Sequence, residues 1–296
     1  MKKIIVMCAA LIMGVSTVVA GNKLSLKDIT SGKFAPKGLG SITALDDGDT
    51  YAQVSKDGKK IVRYSFRTGK QTDVLFDVDN TVGEKISSFE DYIMSPDGSK
   101  LLIQTKSRKI YRRSFTAVYY IYNIGSRKLE KLSDYGPQQS PVWSPDGKQV
   151  AFVRDNNIHL VKLLYGNAES QVTKDGKKNE LINGIPDWVN EEEFGFSTAL
   201  TFNADGTMIC WIKYDEAAVQ QYSLEMFKGS NPEKKEYAEY PGAYTYKYPK
   251  AGQVNSKVAV YSYDIQSHQT RKLQVPLDAD GYMPRIKMTN DPARVV

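Results

Sequence analysis

Trp143-Ser144-Pro145-Asp146-Gly147, followed by Val150-Ala151-Phe152-Val153, holds the architecture in miniature. A bulky residue enters a polar turn, Asp-Gly closes it, and an apolar strand leaves it. Asp-Gly suits a tight reversal between strands, because glycine accepts the positive φ such turns demand. Four apolar residues in succession, without alternation, mark a strand covered on both faces. The phrase recurs as Val54-Ser55-Lys56-Asp57-Gly58 before Lys60-Ile61-Val62, and as Met94-Ser95-Pro96-Asp97-Gly98 before Leu101-Leu102-Ile103. A last copy is Phe202-Asn203-Ala204-Asp205-Gly206 before Met208-Ile209-Cys210-Trp211. Asp57, Asp97, Asp146 and Asp205 stand 40, 49 and 59 residues apart.

Repeats of roughly 40 to 50 residues, four strands each, are the period of a β-propeller. Second halves of the units follow, as in Val62 to Phe66 with Thr68-Gly69, Tyr119 to Asn123 with Gly125-Ser126, and Val258 to Tyr263 with Gln266-Ser267. A β-sandwich also has short, regularly spaced strands, but the recurring Asp-Gly phrase favours the propeller. The expected class is therefore all-β: a propeller of about five to six blades at about 45 residues per blade. Ser25 with Asp28 three residues on, and Gly32 beyond, predicts one short capped helix ahead of it. From Lys228 to Gln253 the chain is rich in Tyr, Lys, Glu and Pro without strand periodicity, and reads as an extended arm or long loop. The expected division is a signal over 1–20, a lead-in over 21–45 and the propeller over 46–296, with the arm at about 228–255.

The first twenty residues read as a secretory signal: Lys2 and Lys3, an apolar stretch from Ile4 to Met13, then Val18-Val19-Ala20 before Gly21. A membrane anchor needs about 18 unbroken apolar residues, and Gly14, Ser16 and Thr17 interrupt the run. Cys8 comes too early and follows Met7, which argues against a lipoprotein signal. The expected location is periplasmic or secreted, with no membrane anchor after cleavage. Cleavage leaves Cys210 as the single thiol, so no internal disulfide can form. The chain has 40 Lys+Arg against 34 Asp+Glu and a net charge of +6. Lys106-Ser107-Arg108-Lys109, with Arg112 and Arg113, is the densest basic run; in an exported chain it reads as a solvated loop, and no nucleic-acid partner is expected.

Catalytic and metal chemistry find little support. No Gly-x-Ser-x-Gly occurs, since Gly195-Phe196-Ser197-Thr198-Ala199 lacks the second glycine. His159 lies within a strand, His268 within a turn, and Cys210 has no neighbouring histidine, so none reads as a catalytic residue. Asp278-Ala279-Asp280-Gly281 begins like a calcium loop but lacks the later ligands and reads as a turn. No cofactor or metal is expected. The strongest local signal is Asp187-Trp188-Val189-Asn190-Glu191-Glu192-Glu193-Phe194. Three successive carboxylates repel one another and usually form a solvated acidic turn. Here Trp188 and Phe194 anchor the run on both sides, and carboxylates so held would suit an ammonium group, whose three donors need several acceptors. Both readings stay open on the residues alone.

Asn183-Gly184-Ile185-Pro186-Asp187-Trp188-Val189 with Glu191-Glu192-Glu193 resembles the glutamate motif of the dipeptidyl peptidase IV family of serine peptidases. The resemblance extends to Tyr248-Pro249-Lys250-Ala251-Gly252-Gln253-Val254-Asn255, to Tyr111 through Ala117, to Trp143 through Gly147 and to the lead-in from Leu24 to Gly40. It implies an eight-bladed propeller, of which this chain would hold a partial ring, followed by an α/β-hydrolase domain carrying Ser, Asp and His, and removal of N-terminal dipeptides with Pro or Ala in second place. By residue, it implies that Glu192 and Glu193 bind the free α-amino group of a peptide. Arg112 takes the place of the arginine that touches the first residue's carbonyl, although Tyr111 and Arg113 depart from the family's usual Trp and His. The stretch from 228 to 255 matches the arm that helps form the family's homodimer. No segment of the chain matches the hydrolase domain, so the expectation is a substrate-recognising portion without catalytic residues of its own. The alternatives are a non-enzymatic periplasmic propeller that binds protein partners, and an inactive gene fragment.

Overall fold

The computed structural model describes residues 24–296 except 37, 39, 229–236 and 238. The predicted signal over 1–20 lies outside the described residues. The chain divides into a segment ending at Ser41 and a second unit, Ile42–Val296. In the first, Leu26–Thr30 forms helix α1. Ser25 caps it as the sequence predicts: the Asp28 amide donates to Ser25 Oγ (3.1 Å) and the Ser25 amide to Asp28 Oδ2 (3.3 Å).

The second unit is built of antiparallel sheets. The first holds β1 (Ile42–Ala44), β2 (Thr50–Val54), β3 (Lys60–Ser65) and β4 (Gln71–Asp77) in sequence order. In the next, β6 (Asp91–Met94), β7 (Lys100–Lys109), β8 (Phe115–Asn123) and β9 (Lys128–Lys131) follow one another, and β5 (Val82–Gly83) runs parallel to β9. The third holds β10 (Gln139–Trp143), β11 (Gln149–Arg154), β12 (Asn157–Lys162) and β13 (Ala168–Gln171). The fourth is centred on β16 (Met208–Asp215), with β19 (Lys257–Asp264) and β20 (Thr270–Lys272) on one side. On its other side lie β14 (Leu181–Asn183) and β15 (Leu200–Phe202).

The continuous apolar runs explain how these sheets stack. Leu101, Leu102 and Ile103 are all fully buried. Successive side chains point to opposite faces, so Leu101 and Ile103 join Ala52, Ile61 and Phe76 of the first sheet, while Leu102 joins Val150 and Phe152 of the third. One sheet on, Ala151 and Val153 face Leu200, Phe202 and Ile209 of the fourth. Each middle sheet thus buries both faces against its neighbours, which is blade stacking. Each side chain of this size contributes about 1.5–3 kcal/mol on burial.

The recurring turn has one chemistry. Ser144 Oγ donates to Asp146 Oδ1 (2.6 Å) and accepts the Gln149 amide (2.9 Å), and the Lys148 amide donates to Asp146 Oδ1 (3.1 Å). Gly147 sits at φ +64°. Asn203 replaces the serine in the last copy, its Oδ1 accepting the Met208 amide at 2.9 Å. In the second, third and fourth sheets this turn joins the first two strands, but Ser55–Gly58 joins β2 to β3. The equivalent turn of the first sheet is Leu45–Thr50, where Asp47 Oδ1 accepts the Thr50 amide at 2.8 Å. The repeat therefore begins one strand earlier than the Asp-Gly phrase suggests.

The partial propeller stands, but the described residues hold four blade sheets of four or five strands rather than five to six. Two excursions within the fourth blade use up the difference. Residues 184–199 leave its inner strand between β14 and β15, and the Ala199 amide donates to the Gly184 carbonyl at 2.8 Å, pinching the base. The arm leaves between β16 and β19. It is not the strandless loop the sequence suggests: β17 (Gln221–Met226) pairs with β18 (Gly242–Lys247) over six residues. Nor are Lys106–Lys109 a loop; they are the exposed end of β7. After β20 the chain is irregular apart from a bridge between Met288 and Val295.

Candidate functional site

The acidic run is a helix, α2 (Trp188–Phe194), carried on the excursion from the fourth blade. Its start is dictated by Asp187, a buried N-cap whose Oδ1 accepts the Asn190 amide (2.9 Å) and Asn190 Nδ2 (2.8 Å). Asp187 Oδ2 accepts from the Ser256 hydroxyl, tying the cap to the residue before β19. Its end is dictated by Gly195 at φ +70°, the left-handed cap that glycine adopts without strain. Arg285 Nη2 donates to the last carbonyl, that of Phe194, at 3.4 Å.

Helical geometry sends the three glutamates in different directions, since successive residues are about 100° apart on a 3.6-residue turn. Glu191 points inward and is 1% exposed; its Oε1 accepts the backbone amides of Arg113 (2.7 Å) and Ser114 (2.8 Å). Glu192 meets Arg112 in a two-point ion pair, Nε to Oε2 at 3.0 Å and Nη2 to Oε1 at 2.8 Å. Their side chains are 26% and 70% exposed. Glu193 is exposed and faces a cleft of about 1050 Å³ between α2 and the arm. The structure thus brings Arg112 and Glu192 together across 80 residues, while Glu193, the next residue of the helix, lines the cleft without either of them.

Arg112 rides on the tip of the β7–β8 hairpin, Ile110–Ser114, which is closed by the Ile110 amide donating to the Ser114 carbonyl at 2.9 Å. An aromatic wall backs the site. Trp188 lies 4.1 Å from Tyr248 and 5.8 Å from Tyr246 between ring centroids. Tyr246 in turn lies 5.9 Å from Tyr111. These tyrosines come from the arm, where Tyr244, Tyr246 and Tyr248 alternate along and just beyond β18. That period-two signal was present in the sequence, hidden among Lys, Glu and Pro.

Below the site lies Glu216, a buried carboxyl at the end of β16. Burial, helped by the negative charge of Asp187 and opposed by Lys247, pushes its pKa up to about 7. Cys210 is buried within β16, and burial pushes its thiol up to about 11, so it is not a nucleophile at neutral pH. His159 belongs to a buried cluster in the third blade: Arg154 pairs with Glu169, His159 Nδ1 lies 3.1 Å from Glu169 Oε1, and Ser133 bonds the same carboxylate. Burial and the Arg154 charge lower the imidazole's pKa, which keeps it neutral. His268 Nδ1 bonds the Tyr263 hydroxyl at 2.6 Å. Gly281 donates to the Asp278 carbonyl at 2.9 Å, the turn expected there. None of these groups enters the acidic site.

Stacked antiparallel blades with an acidic helix let into one inner strand define a partial β-propeller carrying an anionic recess. Residues 95–296 match the family described as the dipeptidyl peptidase IV (DPP IV) N-terminal region. The chain belongs to that family. It is 33% identical over 276 residues to the probable dipeptidyl-aminopeptidase B of Emericella nidulans, which covers 88% of this chain and 30% of that protein. The crystal structure of Porphyromonas gingivalis dipeptidyl peptidase 4 superposes with a TM-score of 0.84 at 37% identity, covering 92% of this chain and 38% of that one. A putative dipeptidyl aminopeptidase IV from Bacteroides ovatus shares the fold, with a TM-score of 0.52 at 17% identity. The chain therefore spans about a third of the length of the proteins it resembles. Among the described residues no helix is long and apolar enough to cross a membrane.

Proposed function

We propose that this chain is the part of a dipeptidyl peptidase IV-like serine exopeptidase that recognises the free N-terminus of a peptide. Glu192 and Glu193 accept hydrogen bonds from the α-ammonium group, and Arg112 donates to the carbonyl of the first residue. The whole protein then removes dipeptides with Pro or Ala in second place, outside the cytoplasm, using catalytic residues that lie elsewhere. A homodimer through the arm belongs to the same proposal.

The observation that carries the reading is the Arg112–Glu192 ion pair. It joins two segments that lie far apart in the chain. The chemistry is consistent. A guanidinium has five N–H donors; Glu192 takes the one on Nε and one on Nη2, leaving Nη1 for a carbonyl oxygen. The same pair orients the Glu192 carboxylate while it shares its remaining lone pairs with an ammonium. Two carboxylates on one helix give an ammonium more acceptors than either alone, and a fixed ammonium counts residues from the chain end.

Isothermal titration of the chain with a short X-Pro peptide tests this. Glu192→Gln and Glu193→Gln each weaken binding by about tenfold, 1.4 kcal/mol, and the double variant by more. Wild-type affinity in the double variant would contradict the assignment.

A further inference from the structure

Glu191 belongs to the acidic run but has no access to a ligand: it is 1% exposed and turned away from Glu192 and Glu193. Its bonds go to the tip of the β7–β8 hairpin, the loop that carries Arg112. Strand pairing alone leaves this tip loosely held. Lys106 to Lys109 are exposed, and the register slips between Thr105 and Arg108, with Lys106 at φ +52°. Arg112 itself is a surface side chain. An exposed ion pair contributes only about 0–1 kcal/mol, because two long side chains must be ordered to form it. Tyr111 meets Tyr246 on the N-terminal side of Arg112, and the C-terminal side needs a hold of its own.

We infer that Glu191 is a positioning residue: its buried carboxylate clamps the amides of Arg113 and Ser114 and so fixes the guanidinium of Arg112 against Glu192. This rests on the reading of Arg112 and Glu192 as the substrate-binding pair. The clamp is built from short hydrogen bonds at 2.7 and 2.8 Å to a carboxylate that is itself buried. The two amides belong to the residues immediately after Arg112, so the lever arm is one residue long. The division of labour follows: within one helix turn, Glu191 holds the protein while Glu192 and Glu193 hold the ligand.

The test uses two readouts on the chain. Brief native trypsin treatment, with the nicked bonds identified by mass spectrometry, reports the tip without any ligand. Cleavage after Arg112 and Arg113 is slow in the wild type, about tenfold faster in Glu191→Leu, and near wild type in Glu191→Gln, whose amide oxygen still accepts both N–H groups. Binding of an X-Pro peptide weakens about tenfold in Glu191→Leu and is restored in Glu191→Gln. In an Arg112→Ala background Glu191→Leu weakens binding no further, because the clamp acts only through Arg112. Should Glu191→Leu fail to fold, Glu191→Asp keeps the charge, shortens the reach by one methylene and ranks between wild type and Leu. A folded Glu191→Leu with wild-type nicking overturns the clamp. Loss of affinity that persists undiminished without Arg112 overturns its route. Peptide binding absent from the wild type overturns the proposed function instead, while the nicking result still decides the clamp.

Discussion

Asp187→Ala removes the residue on which α2 depends. The carboxylate is 5% exposed and accepts from the Asn190 amide, Asn190 Nδ2 and Ser256 Oγ. Loss of the N-cap costs about 1 kcal/mol. Asn190 and Ser256 are both buried, and each donor left without an acceptor adds about 1–3 kcal/mol. Alanine at 187 therefore lowers the unfolding free energy by about 3–5 kcal/mol, since neighbouring terms do not add in full. Asparagine keeps one acceptor for the helix amide and lowers stability by about 1–2 kcal/mol. Equilibrium urea unfolding, with wild type, both variants and Ser256→Ala, gives these values from the midpoints at a common slope. Ser256→Ala in the Asp187→Ala background costs less than in the wild type, because the bond it removes is already gone. An Asp187→Ala chain within about 1 kcal/mol of wild type would refute the cap as the element that holds the site.

Glu216 sets a pH dependence. Its folded pKa of about 7 lies above the ordinary 4.5, so the fold favours the protonated acid. That contribution is complete below pH 4.5 and is lost as pH rises through 7. Glu216→Gln is therefore the more stable protein at pH 8 and close to wild type at pH 4.5, by thermal melts across the range; the opposite trend would contradict the assignment. Asp187→Asn lowers the Glu216 midpoint, because the neighbouring charge that opposes ionisation is gone. Gly195→Ala places a methyl group at φ +70° and 3.2 Å from Arg113 Nη2. It destabilises the chain by about 1 kcal/mol and frays the end of α2, seen as a lower urea midpoint.

The propeller was legible because its signal is distributed. The apolar runs at Leu101–Ile103 and Val150–Val153 each carry residues for two stacked faces, so burial on both sides is written locally. Blade number was less legible: Asp-Gly turns form wherever a tight reversal is needed, and Ser55–Gly58 sits at a different corner of its sheet from the other copies. The acidic motif marks the site but not its helical form, although an Asp before an apolar anchor and Gly195 at the far end are helix boundaries. The role of Glu191 could not be read at all, because adjacent, identical residues differ only in which way a helix turns them. The junction of Arg112 with Glu192 rests on the register of two excursions from different blades, which no local pattern encodes.

The central claim is recognition of a free peptide N-terminus by Arg112, Glu192 and Glu193. Titrating the chain with one X-Pro peptide in two forms, free amine and N-acetylated, tests it most directly, because acetylation removes only the charge and donors of the terminus. The free amine is expected to bind at least about tenfold more tightly, and Glu192→Gln with Glu193→Gln to erase the difference. Equal affinity for the two forms would contradict it.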